Sequence, residues 1–198
     1  MPCGYHSAVR IYTRKGDSGT TGLLYGGARI SKADLRTDAY GSTDEAVSEL
    51  GLARAAFGAL TDRTEARLHE LVLRIQRELF VVGAELATDT ARRKRLKAGT
   101  TLVTPEMVTA LEHDIDALEA DYPMPAEFVV PGESMPGAAL DMARSTVRRA
   151  ERRVVGLVDA GALPAESSVP PYLNRLADLL FVMARAADGG YVRVRQGD

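Results

Sequence analysis

The chain has 198 residues, of which 45% are hydrophobic and 26% charged, with a formal net charge of −2. This length and composition fit a single globular domain, and the slight negative charge argues against a protein built to neutralise nucleic-acid phosphates. The single cysteine, Cys3, excludes an intrachain disulfide and a cysteine-rich zinc site. Because the first residues lack a signal-peptide pattern and no segment approaches the ~20 apolar residues of a membrane span, we expect a cytoplasmic protein without a membrane partner.

A glycine-rich segment, TRKGDSGTTGLLYGG at residues 13–27, precedes the rest of the chain. Successive glycines let backbone N–H groups turn toward an anion, while threonine hydroxyls and the adjacent Arg14 and Lys15 add donors and positive charge. The segment lacks the Walker pattern. Composition alone leaves two interpretations open, an unstructured tail and a phosphate-binding cradle.

Five later segments have the 3.6-residue periodicity of amphipathic helices. The predicted helices cover residues 42–58, 61–87, 104–122, 137–161 and 170–188. Ser42 and Glu45 have the spacing of a capping box at the start of the first helix, and Thr104 before Pro105 is typical of a helix start. Only SAVRIYT and EFVV could form short strands, which are too few for a sheet. We therefore predict one all-α domain over residues 1–198, with a loop-like N-terminal segment (1–35) and a five-helix bundle (42–188).

Five arginines and a single acid are concentrated in ARSTVRRAERR, residues 143–153. Helical spacing places Arg144, Arg148 and Arg152 with Glu151 along one face. Such a face is usually solvated and held by i,i+4 pairs. Here the arginines lack local acidic partners, which favours an anionic ligand or an acid on another subunit.

Asn174 and Phe128 are further candidates. Asn174 lies in the first turn of the fifth predicted helix, where free N–H groups favour an anion, although an asparagine there is more often an ordinary surface residue. Phe128 lies in the loop EFVVPGESMPG, where an aromatic usually fills the nearby core. The sequence contains no His pair for a di-metal bundle and no evident Ser–His–Asp arrangement, so an enzyme of this kind would act by positioning and charge stabilisation.

Taken together, five motifs resemble the PduO-type corrinoid adenosyltransferases. They follow the family's order and span residues 12–185: YTRKGDSGTTGLL, YGSTDEA, EFVVPG, ARSTVRRAERR and YLNRLADLLFVMAR. The resemblance implies a homotrimer of five-helix bundles with an active site at each subunit interface. It implies transfer of the 5′-deoxyadenosyl group of ATP to cob(I)alamin, made by reduction of cob(II)alamin, with release of triphosphate. It also implies an electron-donating reductase and an adenosylcobalamin-dependent acceptor enzyme as partners, and no nucleic acid.

The resemblance also assigns roles to individual residues. The implied ATP-binding positions are Thr13, Arg14, Lys15, Gly16, Thr20, Thr21, Lys32, Arg148, Arg149, Glu151, Arg152 and Asn174. Asn174 is in addition the implied contact to Mg²⁺. Phe128 matches the aromatic that closes the lower face of the corrin and excludes the lower axial ligand. Asp44 and Arg144 match a pair that bridges two subunits near the cobalamin site, and Arg148 is expected to stabilise the leaving triphosphate.

Glu133 and Ala177 depart from the family's pattern. Residues 23–27 and 91–101 receive no role from the sequence. Two other functions stay open at this level. One is a helical module that binds a nucleotide or nucleic acid through its arginine face without chemistry. The other is a different ATP-dependent transferase, which would release phosphate or pyrophosphate instead of triphosphate.

Overall fold

The computed structural model describes residues 12–58 and 62–195. Its five α-helices are α1 (Leu35–Ala56), α2 (Arg63–Leu86), α3 (Pro105–Asp121), α4 (Met135–Asp159) and α5 (Val169–Asp188). Short strands form two separate two-stranded sheets: β1 (Thr20–Gly22) with β2 (Arg29–Ser31), and β3 (Val129–Val130) with β4 (Val192–Arg193). The prediction of an all-α five-helix bundle is confirmed. Among the described residues, no helix combines the length and apolar character needed to cross a bilayer.

Helix α4 lies at the centre of the bundle, packed along α1 on one side and α5 on the other. Helix α2 packs on α1 and also touches α5, while α3 packs on α5. The core is formed mainly by fully buried leucines and valines, such as Leu50 of α1, Leu79 of α2 and Leu176 of α5. Burying each such side chain stabilises the fold by about 1.5–3 kcal/mol.

Helix α1 begins seven residues before the predicted start at Ser42, so that prediction is wrong. Its N-cap is Asp34, whose carboxylate accepts a hydrogen bond from the Arg36 backbone N–H at 2.8 Å. Ser42 instead lies inside the helix, buried, and donates to the carbonyl of Asp38. The first turns contain Thr, Asp and Gly, which have weak helix propensity, so tertiary contacts decide this start. Arg36 provides them by donating to the carbonyls of Leu86, Thr88 and Ala162.

The other helix ends follow the sequence signals. Helix α3 starts after Thr104 with Pro105 in its first turn. Helix α5 starts at Val169, has prolines in its first turn and ends at Asp188. Its C-cap is Gly189, whose φ of +64° is the left-handed conformation that glycine adopts most readily.

The glycine-rich segment is not a plain loop, because residues 20–31 form an antiparallel hairpin in which Thr21 pairs with Ile30. Each strand has only three residues, too few for periodicity to be visible in the sequence. Of the two predicted strands, EFVV is confirmed in part, since Val129 pairs with Arg193 of β4. Residues 7–11 of SAVRIYT lie outside the described residues, and the remaining two residues, 12–13, are not in a strand.

A partly buried polar pair joins α2 to α5 and gives a prediction about pH. The Tyr172 hydroxyl donates to the Glu78 carboxylate at 2.8 Å, and burial raises the pKa of Glu78 above its ordinary value. The folded state therefore holds the Glu78 proton more tightly than the unfolded state. The stability that Glu78 contributes is fully present below its unfolded pKa and is lost as pH rises through the raised folded pKa.

Glu78→Gln removes this titration while leaving an oxygen that accepts from Tyr172. We therefore expect the stability of the variant relative to the wild type to increase as pH rises above the ordinary carboxyl pKa of about 4 and through the raised folded pKa. Denaturant unfolding at several pH values measures this difference. Glu119→Gln, at an exposed carboxylate of α3, is the control for the loss of one negative charge. A Glu78→Gln difference that follows the control at every pH would show that burial does not raise the pKa of Glu78.

Candidate nucleotide and corrin site

The loop at residues 13–19 folds back on the β1–β2 hairpin. Two cationic residues contact it there: Arg29 of β2 and Lys32, which directly follows β2. The Arg29 guanidinium donates from Nη2 to the Lys15 carbonyl at 2.6 Å and to the Thr20 carbonyl at 3.1 Å. Its contact with the Thr20 hydroxyl is 2.7 Å. A Cβ placed on Gly16 would lie 3.0 Å from Nζ of Lys32, so the ammonium group sits directly over this glycine. We call residues 13–20 with Lys32 the cradle.

The remaining predicted ATP positions of the segment lie within or beside the cradle. Thr13 accepts weakly from the Lys15 N–H at 3.4 Å, and Arg14 has a left-handed φ of +59° with its guanidinium 5.5 Å from the Tyr12 ring centre. Thr21 is the central residue of β1. Sequence analysis missed Arg29, because its role depends on hydrogen bonds to residues nine and fourteen positions earlier. The cradle therefore presents backbone groups, hydroxyls and a lysine together, which suits an anion.

The arginine-rich stretch lies in α4, and three of its five arginines have acidic partners in the same chain. Arg149 pairs with Glu45, and Arg153 pairs with Asp38 at 2.6 Å. Both acids belong to α1, which runs antiparallel to α4. Arg144 pairs with Asp141 at 3.0 Å. The expectation that these arginines need a ligand or another subunit as their partner is therefore wrong for three of them. Arg144 has a local partner one helical turn earlier, and packing on α1 supplies the acids for Arg149 and Arg153.

Arg148 and Arg152 differ from the other three, since neither forms an ion pair with any described residue. Both are exposed, and Arg152 donates to the Arg148 carbonyl at 3.0 Å. Beside them, the Asn174 side-chain N–H donates to the Glu151 carboxylate at 3.0 Å. The predicted set Arg148, Glu151, Arg152 and Asn174 is thus brought together on one surface of α4 and the start of α5. This surface offers two unneutralised cations and an amide oxygen.

Phe128 does not fill the core, because the residue is 88% exposed. It borders a cleft of about 420 Å³ whose wall includes residues 125–129, Arg144 and Phe181. Arg144 and Phe181 also line a larger cleft of about 660 Å³, which extends to Arg148 and Arg175. Arg144 thus lies between the exposed aromatic ring and the arginine surface.

Arg144 is oriented by a buried carboxylate that sequence analysis did not single out. One oxygen of Asp141 accepts from Arg144 Nε at 3.0 Å, and the other accepts from Arg185 at 2.6 Å. Arg185 also pairs with Asp188 at 2.8 Å. Burial lowers the pKa of the Arg185 guanidinium, but these two hydrogen-bonded carboxylates outweigh burial and raise it. The network fixes Arg144 while leaving its terminal Nη groups without an ion pair to any described residue.

Asp44 lies elsewhere, exposed on α1 beside a groove of about 350 Å³ that also includes the exposed ring of Phe80. No hydrogen bond or ion pair between described residues joins Asp44 to Arg144. Likewise, none joins the cradle to Arg148, Arg152 or Asn174. Within one chain, the predicted site residues therefore form three separate groups: the cradle, the α4–α5 surface with Arg144 and Phe128, and Asp44.

Comparison with known proteins identifies the family. Residues 11–187 match the family model described as cobalamin adenosyltransferase. A corrinoid adenosyltransferase of Citrobacter freundii is 42% identical over 176 residues, which cover 89% of this chain and 93% of that protein. One of Bacillus subtilis is 40% identical over 180 residues, which cover 91% of this chain and 87% of that protein. This chain therefore belongs to the cobalamin adenosyltransferase family.

Solved structures agree with this assignment. A variant of the PduO-type ATP:corrinoid adenosyltransferase from Lactobacillus reuteri, complexed with cobalamin and ATP, superposes with a TM-score of 0.80. It is 29% identical and covers 94% of this chain and 100% of that chain. A second variant of that protein, also complexed with cobalamin and ATP, has a TM-score of 0.78 and is 30% identical, covering 94% of this chain and 97% of that chain. The resemblance to the PduO-type family is confirmed.

Proposed function

We propose that this protein transfers the 5′-deoxyadenosyl group of ATP to the cobalt of cob(I)alamin, giving adenosylcobalamin and triphosphate. The cobalt electron pair forms the bond to C5′, while the C5′–O bond breaks and its electron pair leaves on the triphosphate. Because the corrinoid substrate is itself the nucleophile, the chain needs to supply binding, orientation and charge stabilisation. The observation that carries the proposal is the presence of a cationic glycine-rich cradle together with two arginines that lack acidic partners among the described residues.

The triphosphate is the part of ATP that these groups suit. The cradle supplies Lys32 over Gly16 and the hydroxyls of Thr13 and Thr20, all able to donate to phosphate oxygens. Arg148 adds a planar guanidinium, which binds phosphate oxygens in pairs. As the C5′–O bond breaks, negative charge grows on the triphosphate, so cations that contact it lower the energy of the transition state more than that of bound ATP.

The residues present also fit a Mg²⁺ ion bound to the triphosphate. The side-chain nitrogen of Asn174 is used by Glu151, which leaves the amide oxygen as an acceptor, and Glu151 adds a carboxylate. Mg²⁺ prefers oxygen ligands and often takes only one or two from the protein when phosphates provide others. Asn174, assisted by Glu151, would hold the ion, which would help neutralise the triphosphate.

We further propose that the complete site forms between subunits of a homotrimer. The cradle of one chain would face the arginine surface of the next, since no hydrogen bond or ion pair among the described residues joins the two within one chain. Asp44 would pair with Arg144 of the partner subunit. The exposure of Asp44 beside Phe80 supports this arrangement, as do the Nη groups of Arg144 that Asp141 leaves uncommitted.

Asp44→Asn tests the bridge between subunits. Loss of one partner from a hydrogen-bonded charge pair at an interface costs about 2 kcal/mol or more, so we expect the Kd for cobalamin to rise about 30-fold or the trimer to dissociate more readily. Sedimentation velocity and a cobalamin titration measure the two effects. Asp159→Asn, an exposed carboxylate at the end of α4, is the control. If both assembly and cobalamin affinity are retained in Asp44→Asn, the bridge does not exist.

For the corrin, we propose that the Phe128 ring covers the lower face and excludes the lower axial ligand. An exposed aromatic ring above an open cleft that also contains Phe181 supports this role. Loss of the axial donor lowers the energy of the cobalt orbital along that axis, so cob(II)alamin accepts an electron more readily. A reductase would supply this electron, and an adenosylcobalamin-dependent enzyme would take the product.

The proposed reaction is tested by anaerobic incubation of the protein with ATP, Mg²⁺, cobalamin and a chemical reductant. We expect the absorption spectrum of adenosylcobalamin to appear at a rate proportional to protein concentration. Omitting ATP should abolish the change. A protein that binds both substrates and gives no adenosylcobalamin would contradict the proposal.

A further inference from the structure

The turn of the hairpin, residues 23–27, is fixed to the end of α2. Leu23 is buried, and the Leu24 N–H donates to the Ala87 carbonyl at 2.9 Å. At the tip, Tyr25 has a φ of +58°, a left-handed conformation that is unfavourable for a bulky residue. Tyr25 therefore needs contacts from outside the turn to hold it there.

A second segment, residues 90–103, supplies those contacts, and we call it the brace. Arg95 donates from Nη1 to the Tyr25 carbonyl at 3.0 Å and lies over its ring, 5.6 Å from the centre. At the far end of the ring, the Tyr25 hydroxyl donates to Thr101 at 3.3 Å. Thr101 is fixed in turn by the Lys97 N–H, which donates to it at 2.9 Å. The backbone, ring and hydroxyl of Tyr25 are thus all held by the brace.

The brace itself is attached to a carboxylate inside the bundle. Glu85 of α2 has a fully buried side chain. It pairs with Arg93 at 2.8 Å and accepts from the Val103 N–H at 2.8 Å and from Ser167 at 2.6 Å. A buried carboxylate needs all of these partners, so the two ends of the brace are held at fixed positions on the helices.

We propose that the brace positions the cradle for ATP, with Arg95 and Tyr25 as positioning residues. The inference rests on the proposed function, because it assumes that the cradle binds the triphosphate. Two strands of three residues each are only marginally stable alone, so their external contacts decide where the cradle lies. A cradle held in place before binding loses less conformational entropy when ATP arrives. This assigns a role to both residues 23–27 and the basic segment 91–101.

Arg95→Ala tests the proposal, with Arg92→Ala as a matched control. Both residues lie in the same short 3₁₀-helix, Thr90–Arg95, and Arg92 makes no side-chain hydrogen bond or ion pair with the described residues. Each variant removes one positive charge, so the long-range electrostatic attraction between the protein and ATP falls by a similar amount in both. We expect Arg95→Ala to raise the Kd and KM for ATP about three- to tenfold, as loss of a hydrogen bond and ring contact implies. Arg92→Ala should change neither quantity, and the KM for cobalamin should stay constant in both.

ATP binding is measured by calorimetry without cobalamin, so this test does not depend on turnover. If the wild type binds ATP but makes no adenosylcobalamin, the proposed function fails while the calorimetric comparison still tests the brace. Equal ATP affinity in Arg95→Ala and Arg92→Ala would overturn the inference. The inference would also be overturned if Arg95→Ala lowered the melting temperature and raised the KM for ATP and the KM for cobalamin together, since that pattern indicates general destabilisation. Tyr25→Phe, which loses only the hydroxyl contact with Thr101, should show a smaller rise in the KM for ATP than Arg95→Ala.

Discussion

Replacing Arg148 with alanine is expected to lower kcat about 100- to 1,000-fold, the usual loss when one group that stabilises transition-state charge is removed. Arg148 is exposed and has no acidic partner among the described residues, so its full charge is available to the triphosphate. That charge is needed most as the C5′–O bond breaks, and the KM for ATP should therefore change much less than kcat. Initial rates of adenosylcobalamin formation at varied ATP concentration separate the two constants.

Arg153→Ala is the matched control for this experiment. It removes the same charge from the same helix, but Arg153 is already neutralised by Asp38 at 2.6 Å. We expect its kcat to stay within a few-fold of the wild type, with some loss of stability. An unchanged kcat in Arg148→Ala would remove Arg148 from the chemistry.

Phe128→Ala is expected to slow the reaction from cob(II)alamin about 10- to 100-fold, the range typical when a group that tunes a metal centre is lost. The reaction from fully reduced cob(I)alamin should be affected less, because the electron has already been transferred. ATP affinity should be unchanged, since neither cleft that Phe128 lines includes Arg148 or a cradle residue among the described residues. Because Phe128 is 88% exposed, it contributes little to the core, so thermal stability should also be retained.

Val130→Ala provides the comparison for Phe128→Ala. Val130 lies two residues further along, in β3, is apolar and is 45% exposed. Its loss should not alter the reaction from cob(II)alamin. A normal rate of Phe128→Ala with cob(II)alamin and a weak reductant would show that the ring does not control the axial ligand.

The sequence predicted the elements whose signals are local and repeated. The apolar stripe of α2 and the proline and glycine signals at the ends of α3 and α5 gave these helices within a few residues. The sequence did not predict the start of α1, because Arg36 donates to carbonyls 50 or more residues away and so stabilises a first turn that is weak by itself. It also failed at the β1–β2 hairpin, because strands of three residues have no usable periodicity.

The residues of the candidate site also differ in whether their signals are local in the sequence. The family resemblance named the cradle, the arginine surface and Phe128, because these motifs are contiguous in sequence. Partners that fix them were missed, since Arg29, Asp141 and Arg95 act through hydrogen bonds that only folding brings about. Helical spacing alone also overstated the free charge of α4, because the acids that neutralise Arg149 and Arg153 belong to α1.

The central claim, attack of cobalt on C5′ of ATP, is tested most directly by identifying the phosphate product. Anaerobic turnover with cob(I)alamin and ATP should release intact triphosphate, one per adenosylcobalamin formed, as resolved by anion-exchange chromatography or ³¹P NMR. A different ATP-dependent transferase would release phosphate or pyrophosphate instead. Triphosphate in equal amount to adenosylcobalamin is the predicted result, and orthophosphate or pyrophosphate as the first product would contradict the account.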